Sequence, residues 1–127
     1  PGAAALTYYT ASLGADVSLT NTATYFDGPS VAQGTSGTWL VTAHVTVAGN
    51  NDNIFAKLWD GTTVVSSTET DGPASGSRVT ITLNGIFVNP AGNIKISVRD
   101  GSNTTTKIVY NASGNSQDCT ITAIRIA

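Results

Sequence analysis

Chemistry in a protein needs groups that transfer protons, attack electrophiles or hold metals, and this chain carries few of them. It has one histidine, His44, one cysteine, Cys119, and eight acidic residues of which only Glu69 is a glutamate. A zinc site requires several imidazole or thiolate ligands at short spacing, so one His and one Cys exclude it within a single subunit. A nucleophilic triad needs a base beside Ser, Thr or Cys, and only His44 could serve. The pattern around it, Thr38 to Val47, is that of a strand, so His44 sits mid-strand instead of in a loop that a substrate could reach. The acids Asp27, Asp52, Asp60, Asp71, Asp100 and Asp118 lie in turn-like surroundings, where turn chemistry explains them better than a glycosidase pair. No glycine-rich loop opens a helix, so a phosphate cradle is missing. These observations predict a protein that is not an enzyme.

Two loops and one aromatic remain as binding candidates. Asp52 with Asn50, Asn51 and Asn53, and Asp100 with Ser102 and Asn103, offer hard oxygen ligands, which leaves calcium as the one cofactor open to this chain. Neither has the spacing of a helix-loop-helix calcium loop. Asn51, Asp52, Asp100 and Asn103 are therefore the candidate ligand-loop residues. Trp59, at the end of an expected hairpin, could stack on a sugar ring or fill a subunit contact.

The elements that must position these residues are strands. Among 127 residues, Ser and Thr make up about a quarter and charged residues only 11%, and the wealth of Thr, Val and Ile with Gly, Asn and Asp at intervals predicts an all-β domain. Period-2 alternation is strongest over Thr38 to Val47, placing Trp39, Val41, Ala43, Val45 and Val47 on one face and Leu40, Thr42, His44 and Thr46 on the other. Further strands are expected at Asp16 to Thr20, Ile54 to Trp59, Thr63 to Thr68, Arg78 to Val88, Ile94 to Arg99, Lys107 to Tyr110 and Cys119 to Ala127. Asp27-Gly28-Pro29 reads as a turn, and Asp60-Gly61 as a two-residue hairpin. Residues 1–14 show no period and are expected to be an arm or connector, with Tyr8 and Tyr9 as docking groups, ahead of a domain spanning 15–127. Eight or nine short strands without a helix or a fixed repeat predict an antiparallel β-sandwich of jelly-roll topology.

In the closing strand Cys119, Ile121 and Ala123 share one face, while Ile124 and Ile126 occupy the other. Burial against sister subunits would explain two apolar faces; a bulge near Ala123 or a covered central strand would do so too. Phe55 and Trp59, and Leu40 beside His44, also lie opposite the expected core positions. The expected subunit interface thus comprises Leu40, His44, Phe55, Trp59, Ile124 and Ile126. A formal net charge of −2 argues against nucleic acid and anionic membrane as partners, and no apolar run approaches the ~20 residues of a helical membrane span. A sequence without methionine is expected to be a processed chain or an excised domain.

Four segments in order carry a family resemblance. GTWLVTAHVTV, AKLWDGTTVVSS, VTITLNGIFVNPAGNIKISV and CTITAIRIA resemble successive strands of complement globular heads, the trimeric jelly rolls related to tumour necrosis factor; the resemblance spans Val17 to Ala127. TYFDGPSVAQGTSGTWLVTAHVTV, followed by AKLWDGTTVVSST, is also similar to C-terminal domains of bacteriophage fibre, spike and capsid-decoration proteins. That resemblance implies a homotrimeric knob at a virion surface or otherwise extracellular, with parent virion or fibre proteins as partners and a host surface polysaccharide or protein as target. The alternative is a carbohydrate-binding module of a bacterial secreted or surface protein.

Overall fold

The computed structural model describes residues 5–127, and these fold into ten strands: β1 (Tyr8–Ser12), β2 (Val17–Ser18), β3 (Phe26–Val31), β4 (Thr38–Ala48), β5 (Asn53–Trp59), β6 (Val64–Asp71), β7 (Arg78–Val88), β8 (Ile94–Asp100), β9 (Lys107–Ile108) and β10 (Thr120–Arg125). They form two antiparallel sheets, a jelly-roll β-sandwich. In the larger sheet β4 is central: β7 runs along its whole length on one side, while β10, flanked by β1, and then β9, flanked by β2, share the other. The smaller sheet has the order β3-β8-β5-β6.

Alternation builds the core. Trp39, Val41, Val45 and Val47 of β4 are almost fully buried, against Ile54 and Leu58 of β5 and Ile94, Ile96 and Val98 of β8. Each strand contributes every second side chain, the period a pleated ribbon imposes. The indole N–H of Trp39 is satisfied by Ser36 O at 2.9 Å.

Several expectations are corrected. Asp27-Gly28-Pro29 is not a turn but the middle of β3. Pro29 is tolerated because β3 is an edge strand and its register slips between Asp27 and Ser30, the setting in which a strand can lack one N–H. Gly28 is required there, since a Cβ would stand 2.9 Å from Ile96 O. The Asp60-Gly61 hairpin is wider than two residues. Only Gly61 has positive φ (91°), a register shift falls between Leu58 and Trp59, and Asp60 Oδ1 accepts from the N–H groups of Thr62 and Thr63 at 2.9 and 2.7 Å. β10 keeps unbroken register with both neighbours, so there is no bulge near Ala123. Residues 1–4 lie outside the described residues; of the rest of the expected arm, Tyr8–Ser12 pairs with β10, and the Tyr9 ring packs 5.7 Å from that of Trp39.

Candidate functional site

The expected interface residues separate onto opposite sides of the sandwich. On the outer face of the larger sheet, strand register lines up Tyr8, Ile124, Leu40 and Ile86 across β1, β10, β4 and β7. Tyr8, Leu40 and Ile86 are 58%, 44% and 53% exposed, and Ile124 between them is half-buried. Ile126, exposed, donates its N–H to Thr38 O, and Thr38 pairs with the exposed Val88, so a second apolar row flanks the first. The next rows are uncharged and hydroxyl-rich: Thr10, Thr122, Thr42 and Asn84, then Ser12, Thr120, His44 and Thr82. His44 is locked at both ring nitrogens, Nε2 to Gln117 O at 3.2 Å and Nδ1 to Thr120 Oγ1 at 3.1 Å. The acceptor-only carbonyl of Gln117 fixes the proton on Nε2. Here the loop before β10 lies against the face, with Thr46 Oγ1 donating to Asp118 O. The apolar end has no such cover among the described residues.

Phe55 and Trp59 project from the outer face of the smaller sheet. Across β5 and β8 the register sets Trp59 beside Lys95, Lys57 beside Ser97, and Phe55 beside Arg99. The Lys57 ammonium lies 3.6 Å from the Trp59 ring centroid and 4.2 Å from that of Tyr25. The Arg99 guanidinium lies 4.1 Å from the Phe55 centroid. Such stacking is worth about 0.5–1 kcal/mol per exposed pair. Trp59 Nε1 donates to Ser97 Oγ, which donates to Asp27, whose other oxygen pairs with Lys95 at 2.9 Å.

The two candidate ligand loops become one cluster. Asp52, Asp100 and Thr106 are buried, and the Thr106 hydroxyl stands between Asp52 Oδ2, at 2.7 Å, and Asp100 Oδ2. Asn103 donates its side-chain N–H to Asn50 O and Asp52, while its backbone N–H and that of Ser102 reach Asp100 Oδ1. Asn51, at φ 54°, donates its backbone N–H to Pro73 O. Burial works to raise the Asp52 pKa, but hydrogen bonds from its neighbours outweigh it and hold the carboxyl below its ordinary range. Every carboxylate oxygen of the pair has a protein partner, so the cluster ties three loops together. Thr106, its centre, was not singled out by sequence, because a lone Thr in a polar stretch carries no local signal. Tyr25, Lys57, Lys95 and Arg99 were missed for a related reason: they meet only through strand pairing.

Among the described residues no three of His, Cys, Asp and Glu gather closely enough to hold a metal, and no helix is long and apolar enough to cross a membrane. Cys119 is buried, its thiol bonded to Val109 O, and burial raises its pKa, which disfavours the nucleophilic thiolate. The strands and their burial together define an antiparallel β-sandwich of jelly-roll topology.

No family model and no curated protein matches the chain. Solved structures do match in fold. The chain is similar to Eiger TNF from S. frugiperda, with 10% identity, 96% of this chain and 93% of that chain covered, and a TM-score of 0.62. It is also similar to the Bacillus endospore appendages described as a novel family of disulfide-linked pili, with 12% identity, 98% and 93% covered, and a TM-score of 0.50. At such identities the likeness is one of fold.

Proposed function

We propose that this module is a homotrimeric knob on the surface of a phage or phage-like particle, a capsid spike, decoration or fibre tip, which holds host surface glycan or protein. The observation that carries the reading is the uncovered apolar end of the larger sheet, where Tyr8, Leu40, Ile86, Val88 and Ile126 are exposed side by side. Contiguous apolar surface of this kind on a soluble module marks an interaction site, and the absence of charge from its rows suits a self-complementary contact. A subunit count of three rests on the resemblance to complement and tumour-necrosis-factor jelly rolls. The resemblance in fold to a pilus subunit supports a role in surface assemblies, although the buried Cys119 offers no exposed thiol for linkage between subunits.

The test is oligomeric state. Sedimentation at micromolar concentration is expected to give a trimer for the wild type and a folded monomer for Leu40→Asp combined with Ile86→Asp. A monomeric wild type overturns the assembly reading. Attachment is tested separately, by binding of the fluorescently labelled protein to host cells.

A further inference from the structure

We infer that the outer face of the smaller sheet is a binding surface for an anionic glycan, with Lys57 and Arg99 holding its acidic group and Tyr25 and Trp59 bounding the sugar. The inference is independent of trimer formation. Three of the six basic residues of the chain, Lys57, Lys95 and Arg99, project from this one face. They alternate with aromatic side chains along and across the strands, Trp59 beside Lys95 and Phe55 beside Arg99 with Lys57 between. Successive outward positions on a strand lie about 6.5–7 Å apart, so a chain of sugar rings laid along the sheet meets a cation or an aromatic group at each step.

The cations differ in what they already hold. Lys95 is paired with Asp27, and that pair, with Ser97 and the Trp59 indole N–H, makes a closed network that fixes the floor of the surface. Lys57 has neither a carboxylate within ion-pair distance nor a hydrogen-bond acceptor among the described residues. Its ammonium is held between the rings of Tyr25 and Trp59 at 4.2 and 3.6 Å. Arg99 spends one nitrogen on Thr22 O and lies 5.5 Å from the centroid of the same Tyr25 ring, and the rest of its fork has no hydrogen-bond acceptor among the described residues. Two cations without a carboxylate partner therefore converge on one tyrosine, already positioned, so an incoming carboxylate or sulfate meets them without the cost of ordering two long side chains. Glu69, across from Phe55, and Asp71, across from Asn53, mark the β6 side with negative charge. They confine an anionic ligand to the β3-β8-β5 part of the sheet. Three cations in a chain of net charge −2 are too few for the multiple phosphate contacts on which nucleic-acid affinity depends, whereas a few charge contacts beside ring faces suit an acidic sugar.

Hexagalacturonate and dextran sulfate serve as carboxylate and sulfate probes, with maltohexaose and an oligothymidylate as controls. Because Trp39 is 1% exposed and Trp59 half-exposed, tryptophan emission reports on this face. The expected result is a saturable emission change with at least one acidic carbohydrate, weakened by salt, weakened about tenfold or more by Lys57→Gln and by Arg99→Gln, and retained in Lys57→Arg. Which probe binds tells carboxylate from sulfate. The inference is overturned if neither acidic carbohydrate binds the wild type, if the folded Gln variants bind as the wild type does, or if maltohexaose or the oligothymidylate binds as tightly. Should a variant fail to fold, the wild-type titration against the two controls still decides.

Discussion

The two outward faces of this sandwich follow the same alternation, yet one covers itself and the other does not. On the smaller sheet the large apolar side chains, Phe55 and Trp59, are half-covered, with the Arg99 guanidinium over the Phe55 ring and the Lys57 and Lys95 ammonium groups over that of Trp59. On the larger sheet Leu40, Ile86 and Val88 have Ile124, short polar side chains such as Thr38, Thr42 and Asn84, and each other as neighbours, and remain bare at one end. The difference teaches that an outward aromatic can find its partners within its own sheet. What decides is whether the strand beside it supplies a side chain long enough to lie across it.

The largest expected effect belongs to the core both faces share. Trp39→Ala should cost roughly 3–5 kcal/mol by denaturant unfolding and weaken both faces together; a loss under about 1 kcal/mol would show that the faces do not depend on this core. Next comes the turn that anchors β5. Asp60 is buried, which favours its neutral form, but the N–H groups of Ala91, Thr63 and Thr62 outweigh this and lower its pKa below 3.8. Its contribution is thus present above about pH 3.8 and lost as pH falls through the lower folded value. Asp60→Asn should cost about 1–3 kcal/mol at neutral pH, and the difference from wild type should shrink in acid; a pH-independent difference would assign the loss to packing instead.

Smaller still is Trp59→Ala, expected to cost roughly 1–2 kcal/mol through its cation contacts and the Ser97 bond, with oligomeric state unchanged. If that variant dissociates the assembly, the two faces have been assigned to the wrong roles. The smallest effect on subunit stability should come from Leu40→Asp, within about 0.5 kcal/mol for an exposed position. Its consequence is expected in sedimentation, where the same change should abolish association.

The sequence made β4, β5, β7 and β8 legible because their inward positions are apolar, save the buried Asp100 that closes β8, and their alternation is long. β3 was obscured by Asp27-Gly28-Pro29, which is turn chemistry in isolation and becomes a strand only where an edge and a bulge permit it. β1 was obscured because its side chains, Tyr8 to Ser12, are mostly exposed and carry no alternation. At the candidate sites, residue types were visible but neighbours were not. Phe55, Trp59, Leu40 and Ile124 were recognisable as outward apolar groups, while the pairing of β5 with β8 that brings Lys95 and Arg99 beside the aromatics depends on long-range register. Asp52 and Asp100 read as parts of separate loops for the same reason, and meet only in the fold.

The pairing of β1 with β10 also governs how the module answers to force. Arg125 N–H bonds Thr7 O, so the chain enters and leaves at the same end, while the loops gathered around Asp52 and Asp100 lie at the other. A pull that separates the two ends of the chain opens this ladder like a zipper, one hydrogen bond at a time, and meets little resistance. A pull between that end and the distant loops runs along the strands and loads many bonds of both sheets in parallel, as shear. By this pairing the sandwich yields more readily to a pull that parts its two ends than to one directed along its strands.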